Sequence, residues 1–321
     1  MQDYWGFVTH SGTDGNMHGL YFAAQMCKSQ CAAAQHPVVY VSEQAHYSVK
    51  KLAVMMGLDL RIILCDVQGC ILPSHFEEQL DITRPVIFIS VVGSTFKGAV
   101  DDQQAINAII DRHKSTIPFV YRHADAALFG ALLVYNADES ARNLVNVSLQ
   151  KFDSIALSGH KFWGFDDPCG LFICTKAVRD NLNPEHVNYL KDAIPTITCS
   201  RSALAPLKFW FKVNTTTPDQ FRAMAAVCVR RAQELHSALC RHGIRAFVSN
   251  KHSNTVFFEQ PSDDVMDKYH LAPDDCRYLG SLAHLIVMQH VSTEILDGFI
   301  SDFVADKKQK EKKPTNVKNK L

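Results

Sequence analysis

The chain has 321 residues, 47% of them apolar, and a formal net charge of zero at neutral pH. That is enough apolar material for a large core and a smaller second unit, and the folded body lacks the basic stripe of a nucleic-acid binder. Its ten cysteines include no C-x-x-C pair, and several sit in apolar runs, as Cys65 does in Arg-Ile-Ile-Leu-Cys, so a disulfide scaffold is excluded and a reducing compartment is expected. The opening Met-Gln-Asp-Tyr-Trp-Gly lacks the regions of a signal peptide, and no apolar run nears the roughly 20 residues that span a bilayer. A cytoplasmic protein follows, with neither a membrane nor a nucleic acid as partner. From Lys307 onward seven lysines face one glutamate, which predicts a Lys-rich disordered tail over 305–321.

Short Val-, Ile- and Phe-rich runs bounded by Pro, Gly or Asp predict strands at 37–42, 61–66, 85–93, 118–125, 154–158 and 170–175. Helical spacing lies between them, as at 17–28, 45–56 and 102–113. Strand and helix in alternation predict an α/β large domain over 1–215, with a mostly parallel sheet covered on both faces. Beyond it a long helix at 219–242, strands at 244–248, 254–259 and 284–290, and a closing helix at 293–303 predict a small α+β domain over 216–304.

Ligands of open α/β sheets bind at the carboxyl ends of the strands, and the unusual residues of this chain stand there. Lys161, in Ser158-Gly159-His160-Lys161, follows the strand 154–158. A partly desolvated lysine there serves as a Schiff-base amine; alone it also reads as a snorkelling surface lysine. Asp125, in His123-Ala124-Asp125-Ala126-Ala127, ends the strand 118–125. Small neighbours leave room for a flat ring whose nitrogen the carboxylate can pair with, although a turn or cap role is equally open. Ser11-Gly12-Thr13 before the helix at 17–28 supplies N–H groups and hydroxyls for a phosphate. His46, in Ser42-Glu43-Gln44-Ala45-His46-Tyr47-Ser48, can stack on a ring or cap a helix. Thr95 adds a hydroxyl after the strand 85–93.

With these residues in place the sequence resembles the group II decarboxylases that depend on pyridoxal 5'-phosphate (PLP), most of all the bacterial PLP-dependent histidine decarboxylases. The motifs that carry the likeness are residues 4–16, 42–48, Gly-Ser-Thr-Phe-Lys-Gly-Ala-Val-Asp-Asp (93–102), His-Ala-Asp-Ala-Ala (123–127), Ser-Gly-His-Lys (158–161) and Val-Met-Gln-His-Val (287–291). The resemblance runs from residue 4 to about 304 and implies the aspartate aminotransferase-like fold, fold type I, with active sites at a homodimer interface. It implies that Lys161 bonds PLP covalently, that Asp125 pairs with the ring nitrogen, and that His46 stacks on the ring. Gly12, Thr13, Ser158 and His160 would surround the phosphate, Thr95 and Ala127 would line the pocket, and no metal is expected. The implied activity removes CO₂ from an L-amino acid, L-histidine giving histamine first and L-serine next. Two departures bear on it. Family members carry helices upstream of the Tyr-Trp-Gly motif with which this chain begins, and Cys199 and Ser202-Ala203 replace the usual Gly and Asn-Gly around Ser200-Arg201. A PLP-fold protein that has lost catalysis is therefore the alternative.

Overall fold

Branched and aromatic side chains crowd the short runs that become the central strands, and such residues suit a pleated layer covered on both faces. The computed structural model describes residues 3–31, 36–182, 184 and 186–312. Two compact units result, one ending at Ala226 and the other beginning at Val227.

The first unit opens with β1 (Tyr4–Thr9), α1 (Gly12–Gln30), β2 (Val38–Ser42), α2 (Tyr47–Met55) and β3 (Asp59–Ile63). It continues with α3 (Pro73–Gln79), β4 (Val86–Val91), α4 (Gln103–Arg112) and β5 (Val120–Asp125). Three short helices, α5 (Gly130–Val134), α6 (Glu139–Asn143) and α7 (Val147–Gln150), lead to β6 (Ser154–Ser158) and β7 (Gly170–Thr175). Then come α8 (Lys176–Asp180), the hairpin of β8 (His186–Val187) and β9 (Asp192–Ala193), α9 (Leu204–Thr215) and α10 (Pro218–Arg241), whose residues from Val227 onward belong to the second unit.

Seven strands form one sheet in the order β1-β7-β6-β5-β4-β2-β3. Strands β2 to β6 are mutually parallel, and β7 is antiparallel to both its neighbours. The α/β, mostly parallel architecture expected from the sequence is therefore present, with β7 as its reversed strand. Successive side chains point to opposite faces. Val39, Ile87 and Tyr121 thus join Leu20 and Phe22 of α1 in one core layer, while Tyr40 and Phe88 join Phe76, Ile106 and Ile110 in the other.

Helix α1 crosses the sheet closely, and one glycine permits it. A Cβ on Gly19 would lie 2.4 Å from Nδ1 of His123, a ring with no exposed surface. Gly19→Ala is expected to destabilise the chain by about 2 kcal/mol or more, since a packed core yields little to added volume. Chemical denaturation measures it directly.

The second unit pairs the sheet β10-β11-β13-β12 with helices. Its elements are β10 (Ala246–Phe247), β11 (Thr255–Glu259), α11 (Asp263–Lys268), β12 (Ala272–Cys276), β13 (Gly280–Ile286) and α12 (Thr293–Lys312). Leu235, Leu239, Val256, Phe258, Phe299 and Phe303 make its core. Two features depart from expectation. The units divide after Ala226 rather than at 215, because Phe221 on α10 stacks on Tyr135 of the first unit at 4.5 Å. Helix α12 also continues to Lys312, where sequence predicts a disordered tail from 305. Lys310 pairs with Asp306 one turn back at 3.3 Å, and Lys307 reaches Glu259 at 2.8 Å. The rest of that predicted tail lies outside the described residues. Among the described residues no helix is long and apolar enough to cross a membrane, and no cluster of His, Cys, Asp or Glu could hold a metal ion.

Candidate active site

Parallel strands deliver their carboxyl ends to one edge of a sheet. Here β2 ends before His46, β4 before Thr95, β5 at Asp125 and β6 before Lys161, while β1 ends before the start of α1. One cleft of about 550 Å³, measured out to open solvent, gathers Gly12, Thr13, His46, Thr95, Asp125, Ala127, Ser158, His160 and Lys161. All nine residues singled out from sequence therefore line the same cavity. Ser11, read from sequence with Gly12 and Thr13 as part of a phosphate cradle, lines it too, as do Asn16, Val91, Gly93, Ser94 and Leu128, to which the sequence reading gave no role.

One end of the cleft is built for an anion. Ser11 caps α1, its hydroxyl accepting the N–H of Asp14 at 3.3 Å. The helix is 19 residues long, so its first turn presents unpaired N–H groups and a partial positive charge. A Cβ on Gly12 would stand 2.5 Å from Ser158 Oγ and 3.0 Å from Ala127 Cβ. Only glycine lets this helix start close onto β6, which brings the hydroxyl of Ser158 beside the helix terminus.

The other end carries charge and a ring. Asp125 is buried; its Oδ2 accepts from Asn16 Nδ2 at 2.8 Å and its Oδ1 from the Ala127 N–H at 3.2 Å. Burial lowers the pKa of Lys161 below the ordinary lysine value, with the Asp125 charge pulling the other way. The pKa of His46 is lowered by burial first; Asp125 raises it, and Lys161 and Lys51 push it down. His46 is also the N-cap of α2: its Nδ1 accepts the Ser48 N–H at 3.3 Å and lies 2.7 Å from Ser48 Oγ. A neutral imidazole that accepts at Nδ1 carries its proton on Nε2. The capping role left open by sequence is thus real, and the same ring lines the cleft. His160 Nδ1 stands 3.2 Å from the Cys169 carbonyl oxygen and 3.4 Å from the Cys169 nitrogen.

Asn16 is the chief residue sequence reasoning missed. Helical spacing could have found it, since it stands four residues after Gly12, on the same face of a helix whose predicted start lay too late. The altered segment lies elsewhere: Arg201 donates to Thr196 Oγ1 and to the Thr198 carbonyl, both at 2.9 Å, with its guanidinium 4.8 Å from the Phe7 ring. Tyr189 stands exposed in the turn between β8 and β9.

Behind Asp125, burial pushes the pKa of His123 from 6.5 down to about 3. The folded chain binds a proton there more weakly than the unfolded chain. Stability present above pH 6.5 is therefore lost as pH falls toward 3, by up to about 1.4 kcal/mol per pH unit. Denaturation midpoints across that range should fall with acid in the wild type and fall less steeply in His123→Gln.

The comparisons with known proteins agree with this architecture. Residues 17–260 match the pyridoxal-dependent decarboxylase conserved domain. Serine decarboxylase 1 of Oryza sativa subsp. japonica is 32% identical over 304 residues, covering 94% of this chain and 59% of that protein. Histidine decarboxylase of Vibrio campbellii is 30% identical over 309 residues, covering 95% of this chain and 75% of the relative. The chain thus spans three fifths to three quarters of the length of these two relatives. Among solved structures, L-methionine decarboxylase from Streptomyces sp.590 shares the fold with a TM-score of 0.79 at 21% identity, covering 94% of this chain and 78% of that one. Glutamate decarboxylase of Lactobacillus brevis does so with a TM-score of 0.81 at 19% identity, covering 97% and 76%. With its family domain matched over most of its length and its fold shared with solved decarboxylases, the chain belongs to the pyridoxal-dependent decarboxylase family.

Proposed function

We propose that this protein removes the carboxyl group of an L-amino acid as CO₂, with PLP as cofactor and L-histidine as substrate. The observation that carries the reading is the cleft itself, where a desolvated lysine, a buried carboxylate, a neutral histidine and a helix N-terminus face one cavity. These groups fit PLP. The tight approach at Gly12 leaves the start of α1 and Ser158 as a cradle for a phosphate, and the Asp125 carboxylate suits a protonated ring nitrogen.

Lys161 would hold PLP through a covalent bond from Nζ. Thr13, Ser158 and His160 would bind its phosphate with the N–H groups of α1, and Asp125 would pair with its ring nitrogen. His46 would lie against the ring, and Thr95 and Ala127 would bound the pocket. When bound, PLP supplies an electron-withdrawing ring that takes up the electron pair left as the Cα–carboxyl bond breaks. Asp125 keeps the ring nitrogen protonated by offering it an acceptor. Lys161 Nζ, its pKa lowered by burial, gives and takes a proton near neutral pH more readily than an exposed lysine does. His46 Nδ1 is taken by Ser48, so only its Nε2–H is free to meet a substrate group.

L-histidine follows the motif likeness set out above, and L-serine is the second candidate because relatives of both names match the chain. A second copy of the chain is the expected partner. The face of α9 exposes Leu204, Leu207, Trp210, Phe211 and Val213, an apolar patch of the kind that marks an interface. Absorbance of the purified chain with added PLP, titrated with L-histidine, tests the reading. A bound-cofactor band that shifts as histamine accumulates supports it. A band that responds to L-serine alone moves the substrate to serine, and a band with no amine released from any amino acid leaves a binding protein.

A further inference from the structure

Behind Asp125 lies a line of buried polar side chains to which the proposed chemistry assigns nothing. Asn16 Nδ2 donates to Asp125 Oδ2 at 2.8 Å, and Asn16 Oδ1 stands 3.0 Å from His123 Nε2. His123 Nδ1 stands 2.7 Å from Ser154 Oγ, to which Tyr121 donates its hydroxyl at 2.9 Å. Tyr121, His123 and Ser154 have no exposed surface, and Asn16 and Asp125 have 5% or less. The close crossing of α1 at Gly19 brings Asn16 to the His123 ring.

The line admits two directions of donation. His123 is neutral, because burial holds its pKa at about 3, so its ring offers one donor and one acceptor. In the first direction Tyr121 donates to Ser154, Ser154 to His123 Nδ1, His123 Nε2–H to Asn16 Oδ1, and Asn16 Nδ2 to Asp125. Each of these polar hydrogens then has an acceptor, and Asp125 only accepts. The second direction turns the Asn16 amide around and requires a protonated Asp125. His123 Nδ1–H then donates to Ser154 Oγ, which already receives the Tyr121 hydroxyl. The hydroxyl hydrogen of Ser154 is left without an acceptor among that side chain's bonds, a costly state in a dry interior. The first direction wins.

We propose that Asn16 and His123 are positioning residues, the last members of a one-way relay that starts at Tyr121 and Ser154 and holds Asp125 as an anionic acceptor for the PLP ring nitrogen. The inference deepens the decarboxylase reading and rests on the role given there to Asp125. His123 acts through its tautomer: with its proton on Nε2 it fixes the Asn16 amide, and the amide aims the carboxylate. Sequence alone hides the link, because Asn16 and Asp125 are 109 residues apart.

Two experiments on the full chain test it. Heteronuclear NMR of the histidine ring nitrogens reads the tautomer, with the His123 signal assigned by its loss in His123→Gln. Should that variant not fold, Asn16→Ala identifies the signal by moving it. A protonated Nε2 and a bare Nδ1, with or without added PLP, is the expected result; a protonated Nδ1 overturns the relay. The second experiment loads Asn16→Ala with PLP. Binding should weaken about tenfold, and the pH at which the bound cofactor changes absorbance should move by about one unit, as loss of a hydrogen bond to a charged group implies. A merely structural asparagine would lower Tm and leave that pH unchanged, which overturns the proposal. Borohydride reduction separates the two readings. No adduct on wild-type Lys161 defeats the decarboxylase reading, while the NMR result still decides the direction of the relay.

Discussion

Lys161→Ala is expected to abolish the borohydride-reducible PLP adduct and to lower the rate of decarboxylation by about a thousandfold or more, the scale on which enzymes lose rate with their covalent group. Lys161 stands just past the end of β6, a strand buried at every residue, so its amine meets the cleft rather than bulk water. Burial lowers its pKa while Asp125 opposes the fall, which leaves a larger share of the nucleophilic free amine than an exposed lysine has. Lys161→Arg keeps the positive charge, yet a guanidinium remains protonated and cannot form the bond. Both variants should therefore fail alike. Mass spectrometry of the reduced protein and an amine-release assay make the comparison. Full activity in Lys161→Ala would remove the residue from the chemistry.

Asp125→Asn is expected to keep PLP attached to Lys161 and to lower kcat by about a hundredfold or more, the usual scale for losing a preorganised charge at a reacting group. The substitution is nearly isosteric, so its effect is electrostatic. Asp125 accepts on both oxygens, from Asn16 and from the Ala127 N–H. An asparagine that still accepts from Asn16 turns its NH₂ toward the Ala127 N–H, a donor against a donor, and offers the ring nitrogen no charge. The adduct assay separates this loss from a loss of binding. Wild-type kcat in Asp125→Asn would show that the carboxylate does not serve the ring.

Much of this was legible in the sequence, for physical reasons. β6 and β7 have the predicted limits because each apolar run is bounded sharply, β6 by Asp153 and Gly159 and β7 by Gly170. Residues at strand ends were recognisable because lysine, aspartate and histidine have no packing role there. Other features were hidden. Helix α1 begins at Gly12, five residues before the predicted 17, because glycine and aspartate in its first turn read as loop while Ser11 supplies the cap. Asn16 was lost with that turn. β12 was missed because Pro273, Asp274 and Asp275 read as a loop, yet the segment pairs as an edge strand with β13, which itself begins at Gly280 rather than 284. The order of donors from Tyr121 to Asp125 depends on contacts between β5, β6 and α1 that no periodicity encodes.

The most direct measurement is the release of labelled CO₂ from carboxyl-labelled L-histidine and L-serine by the full chain with added PLP, alongside Lys161→Ala. Release from wild type and none from the variant is the predicted result. Wild-type protein that carries PLP on Lys161 yet releases no CO₂ from any L-amino acid would contradict the account.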